Sequence, residues 1–129
     1  MKVPAGLLLA AAFLLAGCAK SAPPGMKVCL THETGDGEYV VCSQVSAGGD
    51  FEVSSFSGSA RHLSLSGSVT KQGEGYHVSV RYQLRDAPGV TRAEGLVRTE
   101  VNTQVRVTEN EWLRIAGSDN ETIAIRIWR

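Results

Sequence analysis

Three cysteines, three histidines and two tryptophans are the residues of this chain best suited to bind a metal, move a proton, form a disulfide or anchor a partner. Cys29 and Cys42 are separated by 12 residues, which is not the CxxC spacing of a redox dithiol, and no second ligand pair accompanies them as zinc would require. Histidines 32, 62 and 77 read as solvated strand histidines. In the hairpin expected over 61–84, His77 stands opposite Ser68, six positions from His62 and about 20 Å from it. Those two cannot share an ion, although His32 could approach either. Serines are frequent, yet there is no Gly-x-Ser-x-Gly elbow, no phosphate loop and no His-Glu-x-x-His. Glu109 and Glu111 flank Asn110 and read as solvated loop charges. No catalytic residue, metal site or cofactor is assigned, and an enzyme is not expected.

The elements that would position these residues must fit in 129 residues, enough for one compact domain and too few for a multi-domain enzyme. Lys+Arg and Asp+Glu are 13 each, so no basic excess exists to neutralise a phosphate backbone, and nucleic-acid binding is not expected. A hydrophobic share of 43% with 20% charged residues belongs to a folded globule and not to a disordered chain.

After Lys2 the chain is uncharged from Val3 to Gly17 and carries an apolar block from Leu7 to Leu15. The block is shorter than the ~20 residues that span a bilayer and has the form of an export signal. Leu15-Ala16-Gly17-Cys18 resembles the lipobox of bacterial lipoproteins. The resemblance implies that residues 1–17 are removed as a signal peptide and that Cys18 is acylated with diacylglycerol and palmitate-type chains, which makes membrane anchoring permanent. Ala19 and Lys20 follow where Asp would retain such a protein at the inner membrane, so the resemblance implies the periplasmic face of the outer membrane. Residues 18–26, with Pro23-Pro24, read as a lipidated tether reaching at most ~25 Å. Residues 27–129 then form the folded domain.

Within that domain apolar residues recur with period two and no helix-period stretch is present. Leu63, Leu65, Gly67 and Val69 alternate with His62, Ser64, Ser66 and Ser68, and Tyr76, Val78, Val80, Tyr82 and Leu84 with His77, Ser79, Arg81 and Gln83. A hairpin closed over 71–74 would pair Val69 with Tyr76, Gly67 with Val78, Leu65 with Val80 and Leu63 with Tyr82, leaving a polar row to solvent. Further strands are expected at 27–33, 38–45, 50–57, 90–107 with a break near Gly95, 111–117 and 121–128. About eight short strands without crossover helices predict an all-β fold, a small antiparallel β-sandwich or barrel.

With Cys18 assigned to lipid, Cys29 and Cys42 remain as a pair in an oxidising compartment, where a disulfide is the expected state. A two-residue turn at Gly35-Asp36, of the glycine-first type II′ form, sets Cys29 opposite Cys42 with Cα atoms ~4.5 Å apart. The same register sets Glu33 opposite Glu38, a mildly repulsive pair.

Two local resemblances bear on function. Residues 99–117, with Val101, Thr103, Val105 and Val107 before Asn110 and Leu113 and Ile115 after it, resemble a hairpin of the secretin family of outer-membrane export gates, with Asn110 as the left-handed turn residue. Ser57-Gly58-Ser59-Ala60-Arg61-His62 resembles the loop that membrane-bound lysozyme inhibitors insert into their target. The expected function is a non-catalytic binding or assembly module of an envelope or secretion machine, with an inhibitor of an extracytoplasmic hydrolase such as lysozyme as the alternative. Ile123, Ile125 and Ile127 alternate with Ala124, Arg126 and Trp128, and Trp112 precedes Leu113 and Ile115. Trp112 and Trp128, flanked by Arg114 and Arg126, are therefore expected on the outer face as the contact surface for an envelope protein.

Overall fold

The computed structural model describes residues 24–87 and 96–129. Cys18, the signal segment, most of the tether and the first part of the strand expected at 90–107 lie outside the described residues. Eight strands follow in order: β1 (Lys27–Thr34), β2 (Gly37–Gln44), β3 (Asp50–Ser57), β4 (Arg61–Gln72), β5 (Gly75–Asp86), β6 (Val97–Val107), β7 (Leu113–Ser118) and β8 (Glu121–Trp128). They make two four-stranded antiparallel sheets. Sheet 1 has the order β2-β1-β8-β7 and sheet 2 the order β3-β4-β5-β6. The fold is a small β-sandwich.

The alternation read from the sequence sorts side chains as expected. Val28, Leu30, Ile123, Ile125 and Ile127 of sheet 1 meet Leu63, Leu65, Val69, Val78, Val80 and Tyr82 of sheet 2 in one buried core. Each large apolar side chain withdrawn from water in this way stabilises the fold by about 1.5–3 kcal/mol.

The β1–β2 hairpin has the expected register throughout, Thr34 with Gly37, Glu33 with Glu38 and Cys29 with Cys42. Cys29 and Cys42 form a disulfide with Cα atoms 4.0 Å apart, and by loop-closure entropy such a link contributes about 3 kcal/mol. The turn itself differs from the glycine-first form: the positive φ falls at Gly37 and not at Gly35. The Thr34 hydroxyl instead accepts from the Asp36 N–H and donates to the Gly37 carbonyl.

The β4–β5 hairpin corrects the expected register by two residues. Val69 faces Val78, Gly67 faces Val80, Leu65 faces Tyr82, Leu63 faces Leu84 and His77 faces Thr70. Its turn is the two residues Gly73-Glu74, closed by the Gln72–Gly75 pair, and Gly73 supplies the positive φ of 64° that a tight hairpin turn needs at its first central residue. A slip of two leaves every side chain on its own face.

Residues 99–117 do not form the expected hairpin. β6 pairs with β5 in sheet 2 and β7 with β8 in sheet 1, so the chain around Asn110 crosses between sheets. Asn110 does adopt the left-handed conformation, with φ 72°. β6 thereby completes the edge of sheet 2 beside β5, and β7 the edge of sheet 1 beside β8.

Candidate functional site

The outer face of sheet 1 brings three of the four expected contact residues together. β8 points its isoleucines into the core, which turns Thr122, Ala124, Arg126 and Trp128 outward. Cys29, Thr31 and Glu33 stand beside them on β1. The Arg126 guanidinium lies 5.3 Å from the Trp128 ring centre and 5.9 Å from that of Trp112, within cation–π distance of both. Its Nε is buried without a hydrogen-bond partner, so packing on the rings and not hydrogen bonding fixes this side chain. Trp112 is 49% exposed, whereas Trp128 is half-buried. Arg114 does not join the stack. It donates to the Ser118 carbonyl at 3.2 Å and caps its own strand end.

This face extends further than the sequence reading took it. Val40, opposite Thr31 on β2, is 54% exposed; in the pair Val40-Val41 period two sends one residue outward, and that signal was present in the sequence. A hollow of about 330 Å³ lies between Trp112 and the Glu33–Glu38 pair, lined also by the small residues Thr31, Thr122 and Ala124.

Comparison with protein families, curated proteins and solved structures gives no match. The function of this face therefore has to be argued from its own chemistry.

A second polar constellation sits at the end of the core, and here the sequence reading is corrected. His32 is not solvated; it is fully buried, because the Val28-Leu30-His32 row of β1 points between the sheets. Its Nδ1 is 2.8 Å from the Tyr82 hydroxyl on β5, and its Nε2 is 2.5 Å from Glu121 at the start of β8. The Thr99 hydroxyl of β6 reaches the same Glu121 carboxylate at 3.5 Å. With Glu121 ionised, Nε2 donates to it. Nδ1 then accepts from Tyr82 if the ring is neutral and donates to the phenol oxygen if it is protonated, so both states are satisfied. His62 and His77 do keep to the outer face of sheet 2, and His62 packs against exposed Phe56 with ring centres 4.9 Å apart.

Beside this network Asp86 is fully buried. It accepts from Arg61 at 2.8 Å and from two nitrogens of Arg98 at 3.1 and 3.0 Å, a bidentate geometry that tolerates burial of the charge. The Asp86 carboxylate holds the Arg98 guanidinium above its ordinary value through hydrogen bonding and charge. A hollow of about 200 Å³ opens over His32, Tyr39, Arg61, Arg98 and Glu121.

The carboxylate–imidazole–phenol chain has the elements of a proton relay, but both ring nitrogens already have protein partners and the Tyr82 side chain is fully buried. Through His32 on β1, Tyr82 on β5 and Glu121 on β8 the arrangement ties one sheet to the other. Among the described residues no group of three His, Cys, Asp or Glu could hold a metal ion. Glu109 is more than a loop charge: it accepts from the Tyr76 hydroxyl at 3.1 Å and lies 3.6 Å from Arg129. Glu111 is exposed.

Proposed function

We propose that this protein is a non-catalytic binding module, lipid-anchored at the periplasmic face of a bacterial outer membrane, that contacts a protein partner through the outer face of sheet 1. The observation that carries the docking face is Trp112, half exposed and stacked with Trp128 on Arg126. Exposed tryptophan is costly in water and is the commonest anchor of protein interfaces, and a preorganised arginine stack loses little side-chain freedom on binding.

The experiment replaces both rings. Trp112→Ala with Trp128→Ala is expected to lower recovery of the cross-linked envelope partner at least tenfold, while the urea unfolding midpoint corresponds to a change below about 1 kcal/mol. Loss of several kcal/mol would mean that the rings hold the fold together, and unchanged recovery would place the contact elsewhere.

The anchor rests on Leu15-Ala16-Gly17-Cys18 and on the entry of the fold at Lys27, nine residues beyond Cys18. Cys18→Ser is expected to leave an unprocessed precursor, read by intact mass. A processed chain of mature mass without acyl groups, from the unsubstituted gene, would refute acylation.

The alternative, a hydrolase inhibitor, relies on residues 57–62. There the chain makes a three-residue turn, and Ser57, Arg61 and His62 are paired strand residues. Exposed Phe56 beside that turn is its remaining support, and a short turn is a poor plug for an active-site cleft.

A further inference from the structure

We infer that the outer face of sheet 1 is self-complementary and that its occupant is a second copy of this chain. The inference rests on the docking-face reading above and names the partner for that face. Charge is divided along the strands. One end carries Lys27, with Arg126 one row further in, and the other carries Glu33 opposite Glu38, with the Arg114 guanidinium at the same end two strands away, held by the Ser118 carbonyl. Among the described residues none of Lys27, Glu33 and Glu38 is in an ion pair. Two carboxylates facing each other across a hairpin destabilise the isolated fold, and a cation supplied from outside relieves that repulsion.

Shape is divided in the same direction. The basic end bears the large side chains Arg126 and Trp128, while the acidic end bears Thr122 and Ala124 on the floor of the hollow of about 330 Å³, which Trp112 walls on one side. A two-fold axis lying in the face and perpendicular to the strands lays each strand over its own reversed copy. Lys27 then meets Glu33 of the second copy, Trp128 meets Thr122, and Arg126 meets Ala124, so that large residues enter the space over small ones. An axis parallel to the strands would keep the acidic ends of the two copies at the same end of the interface and bring no cation to Glu33 and Glu38. Face-packed sheets rotate by about 30°, which leaves Lys27 within about one strand, ~5 Å, of the Glu33–Glu38 pair.

Four strands of roughly eight residues present about 500 Å² per copy, or about 1,000 Å² buried in all, near the lower limit of specific interfaces. An interface of this size belongs with weak, reversible associations, which two-dimensional confinement at a membrane favours.

The test is sedimentation equilibrium of the full chain in density-matched detergent, from about 5 to about 500 µM. A monomer–dimer equilibrium is expected. Lys27→Glu or Glu33→Lys should weaken it at least tenfold, and the two together should regain most of the loss, because the facing charges are opposite again. Glu33→Lys also removes the repulsion with Glu38 inside one copy, so its effect is not a folding defect. Trp128→Ala, which leaves the charges in place, should weaken association as well. A single monomeric species over the whole range overturns the inference while leaving the docking face to the tryptophan experiment. Association indifferent to both charge reversals, or no recovery in the double variant, places self-association on another surface and overturns it too.

Discussion

A chain carrying Gly67→Ala is expected to lose at least ~3 kcal/mol of stability, a large part of the 5–15 kcal/mol typical of a domain. Gly67 lies in β4, where a Cβ would sit 1.8 Å from the Ser79 carbonyl oxygen and 2.9 Å from its carbon, with the Phe51 ring tip at 2.8 Å. The ring can rotate aside, but the Ser79 carbonyl belongs to the backbone of β5. Moving it breaks the ladder between the two central strands of sheet 2, where Gly67 faces Val80 and Ser68 faces Ser79. Urea unfolding measures the loss. Adding Phe51→Ala should not restore stability, since the backbone contact remains. A Gly67→Ala chain within 1 kcal/mol of the parent would show that β4 and β5 separate at little cost.

The second large effect is expected at His32. His32→Leu keeps the apolar packing but deprives the buried Tyr82 hydroxyl and the Glu121 carboxylate of their shared partner. The unsatisfied buried Tyr82 hydroxyl costs about 1–3 kcal/mol, while the Glu121 carboxylate, a third exposed, is rehydrated, so a loss of about 1–3 kcal/mol is expected. Tyr82 adds a pH signature. Burial first, and then Tyr39 and Glu121, push its phenol well above the ordinary value near 10. The folded chain therefore retains a proton that the unfolded chain releases. This contribution is fully present below about pH 10 and declines as pH rises further, by up to about 1.4 kcal/mol per pH unit. Tyr82→Phe should flatten the alkaline limb of stability against pH while costing about 1 kcal/mol at neutral pH through the lost hydrogen bond. Tyr76 is raised likewise, by burial and by its bond to Glu109, so a residual slope remains in that variant. An alkaline limb unchanged by Tyr82→Phe would remove Tyr82 from this account.

Legibility in the sequence varied with how local the deciding interaction was. The β1–β2 register could be read because a two-residue turn and two cysteines constrain it from both ends. The β4–β5 register could not, because Leu63 to Val69 and Tyr76 to Leu84 both repeat every two residues and match equally well after a slip of two; only the Gly73-Glu74 turn decides. The outward placement of Trp112 and Trp128 was legible from parity against Leu113 and the isoleucine row, and Val40 could have been found by the same rule. His32 was missed although the Val28-Leu30-His32 alternation already aimed it inward. Nothing near Asp86 in the sequence announces that Arg61 and Arg98 converge on it.

By itself the sequence determined that the domain is all-β, which side chains enter the core, and that Cys29 opposes Cys42. Those outcomes depend on the two-residue repeat of an extended backbone and on one tight turn, both written within a few residues. Only the tertiary structure decided that β1 pairs with β8 from the far end of the chain, that β6 and β7 part into different sheets, and that Arg126 lies within reach of both tryptophans while Arg114 turns away. Strand partners are chosen by the apolar surface buried over both sheets at once, a sum that no short window of sequence contains.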